Sequence, residues 1–263
     1  MKNVNMINSK IKNIFLYSGE LYINNALHIT SFFLFIMLMQ MICNLIGSST
    51  VNPMSLQSLI FNFSSQLFIF GLYLGFYKEI FLLLNQNSST TIKILFSSFH
   101  LIFTYFVSII LFGIIIFLVM LPGIAILSIS SDINSLLALI INNMGLFNNN
   151  INLNLFNSSD FLIYNKTLFI FGVILIIINV IWAILRLQFY QYIIVDKECS
   201  AIEALKNSYD ITEGNLYLLL PFTFFIAIIN LIGLLLFGIG LFITIPFSII
   251  CMIKLYSSIK GSI

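Results

Sequence analysis

Six runs of mostly apolar residues divide this chain, at 26–46, 59–77, 100–121, 168–188, 216–237 and 241–255. A helix needs about 20 such residues to cross a bilayer. In lipid, every backbone N–H and C=O must find its partner within the protein, which a helix achieves within one segment. Charged residues make up 8% of the chain, against about a quarter in a water-soluble domain. The expected fold is therefore all-α: a polytopic membrane helix bundle of about six transmembrane helices, forming one membrane domain over 1–263. Its first partner is the lipid bilayer.

The basic residues give the bundle a direction. Lys2, Lys10 and Lys12 precede the first run. Lys78 and Lys93 lie between the second and third, Arg186, Lys197 and Lys206 between the fourth and fifth, and Lys254 and Lys260 at the end. With six spans these fall on one side, and Lys166 alone falls on the other. Cytoplasmic loops carry excess Lys and Arg, so both termini are expected in the cytoplasm. The first run is longer than a signal-peptide core and no small-x-small cleavage site follows it, so it reads as a retained helix. The outer segments are nearly uncharged. Gly238-Ile239-Gly240 reads as a tight hairpin. The longest outer segment, about 128–166, contains the Asn-rich stretch Asn148 to Ser159 and reads as a tolerated surface loop.

Acid is concentrated in one place. Of nine acidic residues, Asp196, Glu198, Glu203, Asp210 and Glu213 lie within DKECSAIEALKNSYDITEGN. Ser200 and Glu203 have capping-box spacing, in which the serine oxygen accepts from the Glu203 amide and the carboxylate returns to the Ser200 amide. Gly214 is placed to end the helix in a left-handed turn. An amphipathic helix over about 200–213 is thus expected, with Ile202, Leu205, Tyr209 and Thr212 on its apolar side. Glu203, Lys206, Asn207, Asp210 and Glu213 form the polar side, and Lys206 and Asp210 are spaced for a weak pair. The helix is too short and too charged to span, so it reads as a cytoplasmic elbow. Phe189, Tyr190 and Tyr192 before it suit a membrane–water interface, and Arg186 is placed to pair with an elbow acid. A second interfacial helix is expected over Ser88 to Phe99.

Little here suggests chemistry. The net charge of +2 gives no basis for nucleic-acid binding. Cys43, Cys199 and Cys251 are far apart and form no metal or redox motif. The histidines, His28 and His100, lie on other segments than the acidic island, and no HExxH motif occurs. No catalytic group, metal or cofactor is expected. Gln40, Gln66, Asn179 and Asn230 read as interhelical hydrogen bonders, worth about 0.6–2 kcal/mol each. Gly71 and Gly75 have the spacing that lets helices approach closely, within the chain or in a homo-oligomer. Pro221 is near a helix start and is easily accommodated. Pro246 lies deeper and is the better candidate for a broken helix.

YIIVDKECSAIEALKNSYDITEGN, with its apolar run into Asp196 and its Ala201, Glu203-Ala204-Leu205, Ser208, Thr212 and Gly214-Asn215, resembles a segment of uncharacterised bacterial integral-membrane proteins. They are related to the membrane domain of some glycerophosphodiester phosphodiesterases. LLLFGIGLFITIP resembles that family's final hairpin and Leu121 to Ile124 its mid-chain hairpin turn, after which this chain inserts the Asn-rich loop. The resemblance implies a multi-pass protein of the bacterial plasma membrane and no established activity; nothing matches the phosphodiesterase barrel. The sequence points to a non-enzymatic interaction or assembly module whose elbow (Arg186, Asp196, Glu203, Lys206, Ser208, Asp210, Thr212, Gly214, Asn215) meets a cytoplasmic or membrane protein partner. The alternative is a transporter or permease for a lipid or small molecule.

Overall fold

In the computed structural model the described residues are 2–48, 56–85, 92–130, 166–236 and 238–261, and they are helical almost throughout. The Asn-rich stretch, Ser88–Thr91 and most of the first outer segment lie outside them. The helices are α1 (Lys2–Asn24), α2 (Ala26–Ser48), α3 (Leu56–Leu84), α4 (Lys93–Ser97), α5 (Ile102–Ser130), α6 (Lys166–Leu187), α7 (Tyr190–Lys197), α8 (Ala201–Thr212), α9 (Leu216–Leu235) and α10 (Leu241–Lys260). A short 3-10 turn, Phe99–Leu101, leads into α5. Six helical stretches are long and apolar enough to cross a membrane, in the order expected. This is an all-α, multi-pass membrane protein.

The chain forms two compact units. The first comprises Met1–Leu111 and Leu185–Ile263, and the second Phe112–Ile184. In the first, α3 is the central element, packed against α2, α4, α7 and α10. Its buried side chains include Leu72, Leu74, Phe76 and Ile80. Gly71 and Gly75 are used within the chain. A side chain at Gly75 would overlap the backbone of Leu95 in α4, and one at Gly71 would lie 2.8 Å from Ile102 and 2.9 Å from Phe99. The spacing read as a possible dimer contact is thus covered by the chain's own α4 and 3-10 turn. This short pair is also all that forms, among the described residues, of the interfacial helix expected over Ser88 to Phe99.

The N-terminal segment, read from sequence only for its three lysines, is a 23-residue helix. It is not among the six spanning stretches. Ile11, Ile14, Ser18 and Leu21 recur every three or four residues and form its buried side. That side packs on α10, α9 and α2. Phe15 stacks on Phe222 with centroids 5.0 Å apart, and the Lys254 ammonium lies 3.7 Å from the Tyr17 ring centre.

Two further expectations need correction. The third span does not stop before Pro122-Gly123; α5 continues through Pro122 to Ser130. In the second unit, Asn179 of α6 donates to the Val119 carbonyl at 3.3 Å, next to the Leu118 carbonyl whose usual donor proline removes. Such side-chain bonds from a neighbour are what allow proline inside a membrane helix. Gly123 and Gly172 let the same helices meet closely, against Ile176 and Leu127 respectively. Pro246 does not break its helix either, since α10 is continuous over Leu241–Lys260. It stands at the sixth position of α10, as Pro221 does in α9. Nearby, Ser248 donates to Asn230 at 3.2 Å, so Asn179 and Asn230 both bond between helices. Gly238, with φ +76°, turns α9 into α10.

Gly75→Ala should destabilise the protein by about 1–3 kcal/mol through overpacking against backbone. Gly19→Ala, where a methyl meets nothing within 4 Å, should be neutral or stabilising by up to about 1 kcal/mol. Thermal unfolding of the two variants in the same detergent checks the contrast.

Candidate functional site around the elbow

The elbow forms where the sequence places it. Ser200 is extended (φ −66°, ψ 160°) and its side chain accepts from the Glu203 amide at 3.4 Å; the helix runs Ala201–Thr212. The return bond from the Glu203 carboxylate does not form. Gly214 takes φ +74° after the helix end. Asn215 folds back, its Nδ2 donating to the Ile211 carbonyl at 3.2 Å.

The buried side of the elbow is rotated from the expected one. Ala201, Ala204, Leu205, Ser208, Ile211 and Thr212 are buried, whereas Ile202 is 70% exposed and Tyr209 is exposed. The reason is distance. Small side chains at 201, 204 and 208 let the helix come close to the chain at the break between α6 and α7, which wide Ile and Tyr side chains would prevent. At that break Gln188 and Phe189 leave the helical ladder. Ser208 accepts from the Phe189 amide at 3.2 Å and donates to the Arg186 carbonyl at 3.0 Å. One buried hydroxyl thereby serves both an N–H and a C=O. Thr212 Oγ1 lies 3.1 Å from the same carbonyl and 2.8 Å from that of Tyr209, and its single proton can serve one of these at a time.

Arg186 reaches the elbow at Tyr209. Its guanidinium lies 4.6 Å from the Tyr209 ring centre, and Nη1 donates to the Tyr209 carbonyl at 3.5 Å. Phe189 and Tyr192 are both buried in the protein. Phe189 packs 5.9 Å from Tyr256, and Tyr192 stands edge-on to Tyr77 at 5.2 Å.

The acids divide into two sets. Asp196 ends α7 and binds α10, accepting from the Tyr256 hydroxyl and from Lys260 Nζ, each at 2.6 Å. Glu198 takes a left-handed conformation (φ 50°), with Lys78 at 3.5 Å and His100 at 3.7 Å. Glu203, Asp210 and Glu213 are exposed together with Lys206, and Lys206 forms no ion pair with Asp210. Cys199 lies between the two sets. Burial, reinforced by Glu203, pushes its thiol above the ordinary value, which disfavours the reactive thiolate. Cys43, Cys199 and Cys251 are all free.

No family model, curated protein or solved structure matches this chain. Its function must therefore be argued from the residues themselves. Among the described residues, no group of three or more His, Cys, Asp or Glu is arranged to hold a metal ion.

One ionisable pair escaped the sequence reading. Glu79, 1% exposed, sits in α3, and its Oε1 is 3.1 Å from Nε2 of His28 in α2. The second span was expected to end at residue 77, which left Glu79 in a loop. The apolar run Ile80-Phe81-Leu82-Leu83-Leu84 beyond it was the available signal that the helix continues. Of the elbow residues singled out from sequence, Arg186, Asp196, Ser208, Thr212, Gly214 and Asn215 hold the fold, while Glu203, Lys206 and Asp210 remain outward.

Ser208→Ala would leave a buried amide and a buried carbonyl without the hydroxyl, at a cost of about 1–3 kcal/mol. Limited proteolysis should then cut near residues 198–215 faster than in wild type, whereas Lys206→Ala should leave the cutting rate unchanged.

Proposed function

We propose that this multi-pass membrane protein is a non-enzymatic interaction module whose elbow helix docks a basic, partly apolar segment of a protein partner. The reading rests on one observation: the elbow is fastened on its inner side by Ser208 and presents Ile202, Glu203, Tyr209, Asp210 and Glu213 on its outer side. A rigid helix with two apolar side chains among carboxylates is pre-organised to bind, because little ordering remains to be done on contact. Lys206 is the one basic residue of the elbow helix, against Glu203, Asp210 and Glu213, so the surface is net acidic. It therefore suits a Lys- or Arg-bearing peptide better than anionic lipid headgroups, which attract basic segments.

The same reading places the protein in the bacterial plasma membrane with the elbow and both termini in the cytoplasm. The one-sided distribution of Lys and Arg supports that orientation. The likeness of 192–215 to bacterial membrane proteins related to phosphodiesterase membrane domains supports the compartment.

A photo-crosslinking residue at position 202, installed in cells, should give a discrete protein adduct. The adduct should disappear when Glu203, Asp210 and Glu213 are together changed to Lys. A signal from lipid alone, or an adduct indifferent to the charge reversal, would count against docking.

A further inference from the structure

The least comfortable polar group in the first unit is Glu79. Its side chain is 1% exposed. Oε1 meets His28 Nε2 at 3.1 Å, while Oε2 is buried with no hydrogen-bond partner. A buried carboxylate with one oxygen unmatched is expensive: taking a charge out of water carries a large penalty, and a single partner offsets only part of it. Ionisable groups held inside membrane proteins commonly mark ion or proton sites. Packing alone would be better served by an apolar side chain.

The two partners differ in access. The His28 side chain is 28% exposed, and its ring leans on Phe32 with centroids 4.3 Å apart. Glu79 is closed off behind it. Oε2 has less than 1 Å² open to solvent, so a proton reaches the carboxyl without movement of the helices only along the hydrogen bond from His28 to Oε1. The imidazole is the open end of the pair and the carboxyl is the closed end.

We infer that His28 and Glu79 form a proton-binding relay, in which the imidazole takes a proton at Nδ1 and passes the one on Nε2 to the carboxylate. The balance is simple. Before uptake, neutral His28 carries its proton on Nε2 and donates to ionised Glu79. One proton binds at Nδ1, the Nε2–H bond breaks, and an O–H bond forms at Glu79 Oε1. Afterwards a neutral carboxylic acid donates to Nε2 of a neutral imidazole that has changed tautomer. The pair has gained one proton, and no charge remains on the carboxyl.

The other titratable groups on elements packed against α3 are engaged elsewhere or exposed. Lys78 of α3 and His100 of the 3-10 turn hold Glu198, at the end of α7. Lys260 and Tyr256 of α10 hold Asp196 of α7. Lys254 of α10 lies over Tyr17. Lys93 of α4 and Lys197 of α7 are exposed. Tyr77 of α3 donates to Gln191 of α7 at 3.4 Å, and Tyr192 packs edge-on to Tyr77. Tyr73 of α3, Tyr190 of α7, Cys43 of α2 and Cys251 of α10 complete the set, with the Tyr190 ring stacked on that of Tyr105 in α5 and the Cys251 thiol beside Ser18 of α1. The partner within reach of the Glu79 carboxylate is therefore His28.

Infrared difference spectroscopy of the full chain in nanodiscs, stepped between mildly alkaline and mildly acid pH, tests the relay. Wild type should show a carboxylic-acid C=O band that grows on acidification, reverses, and shifts slowly in heavy water as a buried group does. Glu79→Gln should lose the band. His28→Phe should retain a carboxyl band while its exchange with heavy water slows. Helical content by circular dichroism qualifies each variant. Should either variant misfold, wild type alone decides: without a slowly exchanging protonated carboxyl at any pH in the range, the relay is wrong. A band that persists unchanged in folded Glu79→Gln would overturn the assignment equally.

Discussion

A backbone surrounded by lipid has no water to satisfy it, and that constraint governs where this chain can depart from a straight helix. At the break between α6 and α7 the freed amide of Phe189 and carbonyl of Arg186 meet one serine hydroxyl. At Pro122 an asparagine from the neighbouring helix bonds the adjacent carbonyl. Where α9 turns into α10 the chain uses glycine with positive φ. Each departure from helix has its own local remedy, built from a small polar residue or from none. The elbow helix is best understood in that frame. It carries the serine to the break, and its small residues exist to let it arrive.

The structure separates two jobs that the sequence presents as one. The acidic island mixes residues that hold the fold with residues that face outward. Asp196 belongs to the first group, because it joins the end of α7 to Tyr256 and Lys260. Ser208 and Thr212 belong there too. Glu203, Lys206 and Asp210 belong to the second. A cluster of charge in sequence is thus no guide to which charges are available: adjacency along the chain puts them together, and the direction of each Cβ separates them.

The six spans were legible because the bilayer imposes a length and a composition on each, and both can be read directly. The elbow's start and stop were legible because capping is local chemistry, set by Ser200, Glu203 and Gly214. Its buried face was not. Hydrophobicity favoured Ile202 and Tyr209, but close approach to the break selected Ala201, Ala204 and Ser208, and what a helix must approach is tertiary information. The helical character of α1 was available in the spacing of Ile11, Ile14 and Leu21, although its lysines carry the stronger local signal. Glu79 was hidden for a related reason. Beside Lys78 it looked like the polar end of a span, and only the placement of His28 on the adjoining helix shows that the charge faces inward.

The position of Glu79 also bears on how the first unit is held together. Along α3, the stretch from Gly71 to Gly75 is matched by close contact with α4 and the 3-10 turn, where shape alone fixes the fit. Four residues later the same helix offers a carboxylate to α2, where charge and protonation decide the fit. Steric contacts are indifferent to pH, whereas an ionisable contact changes strength whenever its proton count changes. The first unit therefore contains, on one helix, a joint that conditions cannot alter next to one that they can. If a proton moves between His28 and Glu79, the contact it tunes is α2 against α3, while α4 stays in place as the fixed reference.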